Sequence, residues 1–233
     1  MHGNPNGPGL YININAGKPN RFAPPHYHPN DRFIMVIKGP WWVGSGTTVD
    51  ASQAVPMPPG TLVRHFGKEV HWDGAKDDET FIYIIGEGPA SNIPVKLPEP
   101  AVPYTGLDPK VVGYTRPDQY KWRDPSHKSP TNQAILHGDP SKPGLYVVAQ
   151  KFSPGAFSRP HTHPNDRFIM VLKGTWWNGT GPNFDVNNTV PMRTGTFVTH
   201  YAKGVHWDGA KDEEVLLLIA GMGPATRTQL SKQ

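Results

Sequence analysis

Short apolar runs separated by turn residues dominate the chain. The second half shows this most clearly, where GLYVVAQKFS, RFIMVLKG, TFVTHYA and EEVLLLIAG are separated by turn signals such as NGTGPN and WDGAKDEE. Runs of this length are typical of β-strands, and no stretch has the apolar period of a three-turn amphipathic helix. The pattern therefore predicts an all-β protein.

The same pattern occurs twice. The segment HPNDRFIMV is found at 28–36 and again at 163–171, and the halves align without a gap at an offset of 135 residues, from about His2 to about Ala90. KGPWW aligns with KGTWW, and VHWDGAKD aligns with an identical copy. Solenoid repeats have periods of about 20–50 residues, so a gapless repeat of this size indicates a duplicated domain.

The repeat predicts a first domain at 1–90 and a second at 136–233. The segment between them, 91–135, is rich in Pro and polar residues, and we expect a linker plus an arm laid over a domain surface. No such arm precedes the first copy. We therefore expect a native segment before Met1, with a secretory leader as one form of it. Loss of the first arm during gene fusion is the alternative.

Composition narrows the function classes. The chain has 25 Gly and 27 Pro, which favour many short strands joined by turns, and no Cys, which excludes disulfides and thiol chemistry. That usage is compatible with the cytoplasm or the periplasm. The formal net charge of +4 comes from scattered basic residues, so we expect no nucleic-acid partner. No run approaches the roughly 20 apolar residues of a membrane span.

Histidines carry the most specific chemical signal. Each copy has a His-x-His pair on a predicted strand and a third histidine 43 residues beyond the second. Residues i and i+2 of a strand share a face, so two imidazoles would project into one space. A pair of hydrogen-bonded histidines would explain one His-x-His, but the repeated triad predicts one divalent transition metal per domain. The ligands would be His26, His28, His71, His161, His163 and His206.

Around these histidines the chain resembles the cupins, small jelly-roll β-barrels with the motifs G-x5-H-x-H-x3,4-E-x6-G and G-x5-P-x-G-x2-H-x3-N. Because the match covers both copies, the chain is identified as a bicupin, with two tandem jelly-roll barrels and a Pro-rich linker. It is also similar to a set of small bacterial cupin-domain proteins. The matching residues are Gly155, His161, His163, Gly174, Gly195 and His206 in the second copy, and His26, His28, Gly39, Gly60 and His71 in the first.

Arg32 and Arg167 stand where cupins place a glutamate ligand. Arginine stays cationic and cannot ligate a metal, which leaves three histidines. The resemblance implies Fe(II) or Cu(II), with Zn or Ni as alternatives, because three-histidine sites occur in iron and copper dioxygenases of the family. The missing glutamate argues against a Mn²⁺ oxalate-type enzyme, because that hard ion prefers an oxygen ligand. The two arginines would pair with acids such as Asp31 and Asp166, or act catalytically as cationic clamps beside the metal.

Other repeated residues have two interpretations each. His65 and His200 lie six residues before the third ligand and would orient a ligand imidazole or serve the barrel wall. A pair of tryptophans follows the predicted strand after each His-x-His, and a single tryptophan directly follows the third histidine of each triad. They would fill the core and interfaces, or form an aromatic wall for a substrate. The substrate-binding candidates are Trp41, Trp72, Trp176 and Trp207.

An open three-histidine site suits a metal-dependent oxidoreductase of the dioxygenase type, acting on a small oxygen-bearing molecule such as a diketone, phenol or hydroxyketone. Copper-dependent oxidative attack on carbohydrate is one alternative. A non-catalytic, metal-stabilised small-molecule-binding protein is another, because fold does not give function. Strands as apolar as EEVLLLIAG also predict that the barrels pack together, or pair between chains as a homodimer.

Overall fold

The computed structural model describes residues 1–95 and 106–230. Regular structure in these ranges is almost entirely β-strand, and the helical exception is a single 3₁₀ turn at Pro117–Gln119. Each repeat folds into two antiparallel sheets. The predicted all-β class and the two tandem jelly-roll barrels are confirmed. No helix in the described ranges has the length and hydropathy that a membrane span requires.

The first repeat places the strands that carry His26 and His71 in the second of two sheets. The first sheet has the order β1-β9-β4-β7-β11, and the second has the order β10-β3-β8-β5-β6 with β2 beside β8. The strands are β1 (Gly9–Gly17), β2 (Arg21–Phe22), β3 (His26–Tyr27), β4 (Arg32–Lys38), β5 (Trp41–Ser45), β6 (Val55–Met57), β7 (Leu62–His65), β8 (His71–Ala75), β9 (Thr80–Gly88), β10 (Ile93–Pro94) and β11 (Val112–Thr115).

The second repeat follows the same plan. One sheet has the order β12-β13-β20-β15-β18, and the other has the order β17-β16-β19-β14-β21. The four apolar runs identified in the sequence correspond to β13, β15, β18 and β20. The strands are β12 (Thr131–His137), β13 (Gly144–Phe152), β14 (His161–Thr162), β15 (Arg167–Lys173), β16 (Thr175–Thr180), β17 (Val190–Arg193), β18 (Phe197–His200), β19 (His206–Ala210), β20 (Val215–Gly223) and β21 (Thr228–Gln229).

The core of each repeat lies between its sheets. In the first, Ile34 of β4 packs in one cluster with Tyr11, Ile84 and Trp41. Both faces of β4 are buried from Phe33 to Val36, which explains why its sequence is continuously apolar rather than alternating. Full burial of each such side chain contributes about 1.5–3 kcal/mol.

The segment 91–135 contributes strands to both repeats. In its described part, β11 hydrogen-bonds with β7, and β12 pairs with β13. The chain accordingly divides into two compact units between Gln119 and Tyr120. The Pro-rich linker, the domain limits at 90 and 135, and apolar packing between barrels or chains stay predictions. Residues 96–105 of the expected linker lie outside the described ranges.

Gly179 pairs across the sheet with Trp207, and a Cβ at residue 179 would overlap that indole. We expect Gly179→Ala to lower the free energy of unfolding by about 1–3 kcal/mol, the usual cost of overpacking a core. Gly113→Ala is the control, because its methyl would meet Phe66 Cε2 at an ordinary 3.5 Å. Denaturant unfolding measures both. Equal stability of the two variants would contradict the packing described.

Candidate metal centre

Strand pairing brings the three predicted histidines of each repeat together. His26 on β3 lies directly opposite His71 on β8, and His161 on β14 lies opposite His206 on β19. The second histidine of each His-x-His follows its short strand immediately. In each triad, one nitrogen of every ring lies within 4.8 Å of one nitrogen of each other ring. The structure therefore groups all six residues as the sequence predicts.

Backbone carbonyls fix the orientation of every ring in the first triad. The Nδ1 atoms of His26, His28 and His71 lie 2.8, 3.0 and 3.0 Å from the carbonyl oxygens of Pro24, Ser91 and Glu69, respectively. A carbonyl only accepts, so each Nδ1 carries the proton and donates it. Each Nε2 therefore carries the lone pair, as metal ligation through that atom requires.

The second triad repeats this arrangement. His161, His163 and His206 donate from Nδ1 to the carbonyl oxygens of Arg159, Thr226 and Gly204, at 2.7, 2.9 and 3.0 Å. Nε2 of His206, like Nε2 of His71, is buried and has no hydrogen-bond partner. An unpaired buried acceptor costs about 1–3 kcal/mol. A metal ion would satisfy it, so the residues present fit such an ion in both repeats.

Burial favours the neutral form of His28, His71, His161, His163 and His206. It lowers the pKa of His28 and of His163 to about 3, and the charges of Arg32 and Arg167 add to the effect. Burial also lowers the pKa of His161 to about 4, against a smaller opposing effect of its carbonyl bond. The pKa of His71 and of His206 moves in the same direction for the same first reason. Neutral imidazole is the form that ligates metal.

Each arginine at the vacant glutamate position contacts a predicted ligand. Arg32 Nη1 lies 2.7 Å from His28 Nε2, and Arg167 Nη1 lies 2.5 Å from His163 Nε2. One lone pair cannot serve a guanidinium and a metal at once. Each arginine would therefore have to withdraw from this nitrogen when a metal binds. In the structure, each triad has one guanidinium cation beside it.

The salt bridges considered for these arginines are not formed with the neighbouring aspartates. Asp31 accepts from Arg64 Nε at 2.8 Å, and Asp166 accepts from the backbone N–H of Ala202 at 2.7 Å. Among the ion pairs of the described ranges, neither Arg32 nor Arg167 has a carboxylate partner. Their role as clamps stays a prediction.

The four candidate substrate-binding tryptophans are buried. Trp41 is 3% exposed, and Trp72, Trp176 and Trp207 are each 1% exposed. Trp41 and Trp176 belong to the cores of their repeats. Their burial favours the packing interpretation over an exposed aromatic wall.

The repeated histidines before the third ligand differ between the copies. His65 and His71 have ring centroids 3.7 Å apart, and His200 and His206 have centroids 3.9 Å apart. His200 Nε2 lies 3.0 Å from Asn178 Oδ1. His65 Nε2 is buried without a hydrogen-bond partner.

Tyrosine and aspartate side chains near the triads were not among the sequence candidates. Tyr11 and Tyr146 lie beside Arg32 and Arg167. Burial raises the pKa of each phenol, and the guanidinium opposes this increase. Asp73 and Asp208 lie two residues after the third ligand, on the same strand face. All four occur at the repeat offset in both copies, which was the signal that could have identified them.

A cavity of about 670 Å³ opens onto the second triad. Its lining includes His161, His163 and Tyr146. Among the described residues that line the cavity, one is acidic, Asp208, and it accepts hydrogen bonds from neighbouring side chains. The cavity therefore has a positive lining. The arginines are Arg123, Arg159, Arg167 and Arg227.

Comparisons with known proteins bear on the fold. No protein-family model matches the chain, and a search of curated proteins finds no match. Salicylate 1,2-dioxygenase from Pseudaminobacter salicylatoxidans is similar in structure, with a TM-score of 0.66 and 15% identity over 94% of this chain and 72% of that one.

Two further solved structures are similar. A cupin 2 conserved barrel domain protein from Leptotrichia buccalis has a TM-score of 0.60 and 16% identity, over 94% of this chain and 86% of that one. Oxalate decarboxylase from Lactobacillus farciminis has a TM-score of 0.63 and 15% identity, over 97% of this chain and 80% of that one. The chain thus has the bicupin fold that its motifs indicate.

Two metal ions per chain are expected in fully loaded protein. His163→Ala combined with His206→Ala should reduce the content to one, because two of the three ligands in the second repeat are lost. Elemental analysis measures the metal after dialysis. His127→Ala is the control, because His127 lies outside both triads, and it should keep both ions. Retention of two ions by the double variant would show that the ligand set is wrong.

The low histidine pKa values predict how stability changes with pH in metal-stripped protein. The unfolded chain protonates histidine near pH 6.5, whereas folded His28 and His163 stay neutral down to about pH 3. The contribution of these residues to stability is therefore present above pH 6.5 and is lost as the pH falls towards 3. For each residue, the free energy of unfolding should decrease by about 1.4 kcal/mol for every unit by which the pH falls across that window.

Urea unfolding at pH 7, 6 and 5 in the presence of a chelator measures this slope. His28→Gln with His163→Gln should make it shallower, because glutamine does not titrate. The same slope in wild type and double variant would contradict the neutral, buried state of these rings.

Proposed function

We propose that this protein is a metal-dependent oxidoreductase of the dioxygenase type, and that its substrate is a small oxygen-bearing molecule with an anionic group, such as a hydroxybenzoate. The observation that carries the proposal is the positively lined cavity at the second triad. Fe(II) or Cu(II) is the favoured metal, with Zn or Ni as alternatives. When bound by three neutral imidazoles, such a metal supplies open positions for dioxygen and for a substrate oxygen.

The arginines supply the basis for the choice of substrate. The His163 lone pair has room for one partner, so Arg167 loses its acceptor when His163 ligates a metal. Its guanidinium then becomes free to pair with a carboxylate or enolate in the cavity. Arg159 and Arg227 also line the cavity, and they would raise the local concentration of an anion.

Other residues of this chain would orient the substrate and exclude water from the cavity. The Tyr146 hydroxyl lies beside Arg167, with its pKa raised by burial. It therefore stays protonated at neutral pH and would donate a hydrogen bond to a substrate oxygen. Phe157, Val148 and Ile219 add apolar lining to the cavity, which suits an aromatic ring.

The similar fold of a salicylate 1,2-dioxygenase supports this class of reaction, although an identity of 15% leaves the substrate to experiment. Copper-dependent attack on carbohydrate is less well supported, because the four candidate tryptophans present 1–3% of their surface. A non-catalytic binding protein would have the same cavity and would differ in turnover.

Oxygen uptake with salicylate tests the proposal, after reconstitution with Fe(II) and, separately, with Cu(II). Arg167→Met should raise KM for salicylate about 10- to 100-fold, because a charge-assisted hydrogen bond contributes about 1.5–3 kcal/mol. Phenol, which lacks the carboxylate, should show no such change. Arg32→Met is the matched control and should have the smaller effect, because the first repeat has Pro24 and Asn92 in place of Arg159 and Arg227.

Other outcomes separate the alternatives. Tight binding of salicylate without oxygen uptake, with either metal, would identify a non-catalytic binding protein. An equal rise in KM for salicylate and phenol would exclude the proposed carboxylate contact.

A further inference from the structure

The first repeat contains a second group of metal-ligating side chains that overlaps its triad. His65, His71 and Asp73 each offer one donor atom, and these atoms lie within 4.8 Å of one another. His71 and Asp73 are residues i and i+2 of β8, so they share a face. His65 ends β7, in the other sheet of the same barrel. The group thus forms across the barrel interior.

His65 has a ring nitrogen, Nε2, that is available to ligate a metal. The residue is 2% exposed, and its Nε2 has no hydrogen-bond partner. In the second repeat the equivalent His200 Nε2 pairs with Asn178 Oδ1 at 3.0 Å. The first repeat has Val43 at the asparagine position, so this partner is absent. With its proton on Nδ1, His65 would present a buried Nε2 lone pair that a metal ion would satisfy.

The carboxylates differ in the same way. Asp208 accepts from Ser158 Oγ at 2.5 Å and from Trp176 Nε1 at 3.0 Å. Asp73 keeps the matching contact with Trp41, but Ala23 replaces the serine. One carboxylate oxygen of Asp73 therefore lacks the hydroxyl partner that Asp208 has in Ser158. Among the described residues, the corresponding group in the second repeat does not come close enough to be a metal group.

We propose that the first barrel offers a divalent metal a second position, held by His65, His71 and Asp73, in addition to the three-histidine position. The His71 Nδ1 proton is committed to the Glu69 carbonyl, so Nε2 is its available donor. The two positions share that atom and are alternatives for one ion. The proposal does not depend on the proposed reaction, because it concerns which ion binds and where.

The chemistry of the two positions differs. Three imidazoles suit Zn, Cu, Ni and Fe, and they leave the full charge of the ion uncompensated. Two histidines and a carboxylate form the donor set of many non-haem Fe(II) sites, and the oxygen ligand favours harder ions such as Mn²⁺. We therefore expect the first barrel to accept Mn²⁺ at the Asp73 position. The second barrel should lack this capacity.

The full-length variant His26→Ala/His28→Ala/His161→Ala/His163→Ala disables both triads and tests the new position. It should bind one Mn²⁺ per chain, measured by equilibrium dialysis and by the loss of the free-ion signal in electron paramagnetic resonance. Addition of Asp73→Asn should weaken this binding at least about 10-fold, the scale of a lost metal ligand or its partner. Asp208→Asn is the matched control and should leave it unchanged.

Failure of the quadruple variant to bind Mn²⁺ while it retains its far-ultraviolet circular dichroism would overturn the proposal. So would equal effects of Asp73→Asn and Asp208→Asn. If the quadruple variant does not fold, the second measurement uses His163→Ala/His206→Ala, which keeps the first barrel intact. There, Asp73→Asn should lower the affinity for Mn²⁺ relative to Zn²⁺ at least about 10-fold, and an unchanged ratio would overturn the proposal.

A converse pair of substitutions gives independent evidence. Ala23→Ser with Val43→Asn installs the partners found in the second repeat and leaves all ligands in place. These partners should occupy Asp73 and His65 and weaken Mn²⁺ binding in the His163→Ala/His206→Ala chain. Unchanged Mn²⁺ binding would show that the two missing partners do not account for the difference between the barrels.

Discussion

The hydrogen bond from each histidine Nδ1 to a backbone carbonyl is the interaction on which the candidate centre depends. Six such bonds, at 2.7–3.0 Å, fix the tautomer and direction of all six rings. Each carbonyl belongs to a loop residue two positions before a strand, so ring orientation follows from the fold. Burial then lowers the pKa of His28, His71, His161, His163 and His206 and favours their neutral form. Outer-shell hydrogen bonds of this kind orient histidine ligands in metal sites.

The arginines add the second constraint. A guanidinium at the position where cupins place a glutamate brings positive charge to the ligand nitrogens, where the family has negative charge. This arrangement lowers the pKa of His28 and of His163 further, and a positive lining is complementary in charge to an anion. In the second repeat, three more arginines line the same cavity. Charge, rather than shape alone, is therefore the feature that separates this centre from a cupin site with a carboxylate ligand.

The fold and the grouping of the histidines into two triads could be predicted from the sequence, because both depend on local pattern. Strand period, turn residues and the fixed His-x-His spacing are visible in one chain, and duplication made each of them visible twice. Local sequence pattern could not identify the hydrogen-bond partners of the histidines and aspartates. Asn178 on β16 contacts His200 on β18 between the two sheets of the barrel, and Ser158 contacts Asp208 from outside the named strands. The different environments of His65 and Asp73 therefore emerged only from the structure. The tryptophans show the same limit, because periodicity placed them on strands but did not show how deeply they are buried.

We expect each barrel to bind one metal through three Nε2 atoms while its arginine withdraws. A crystal structure of metal-loaded protein, with anomalous scattering collected at the metal edge, would show both the ion and the arginine. The expected result is an anomalous peak at the Nε2 atoms of His161, His163 and His206, with Arg167 Nη1 no longer within hydrogen-bond distance of His163 Nε2. An anomalous peak away from both triads, or Arg167 still bound to that nitrogen in fully loaded crystals, would contradict it.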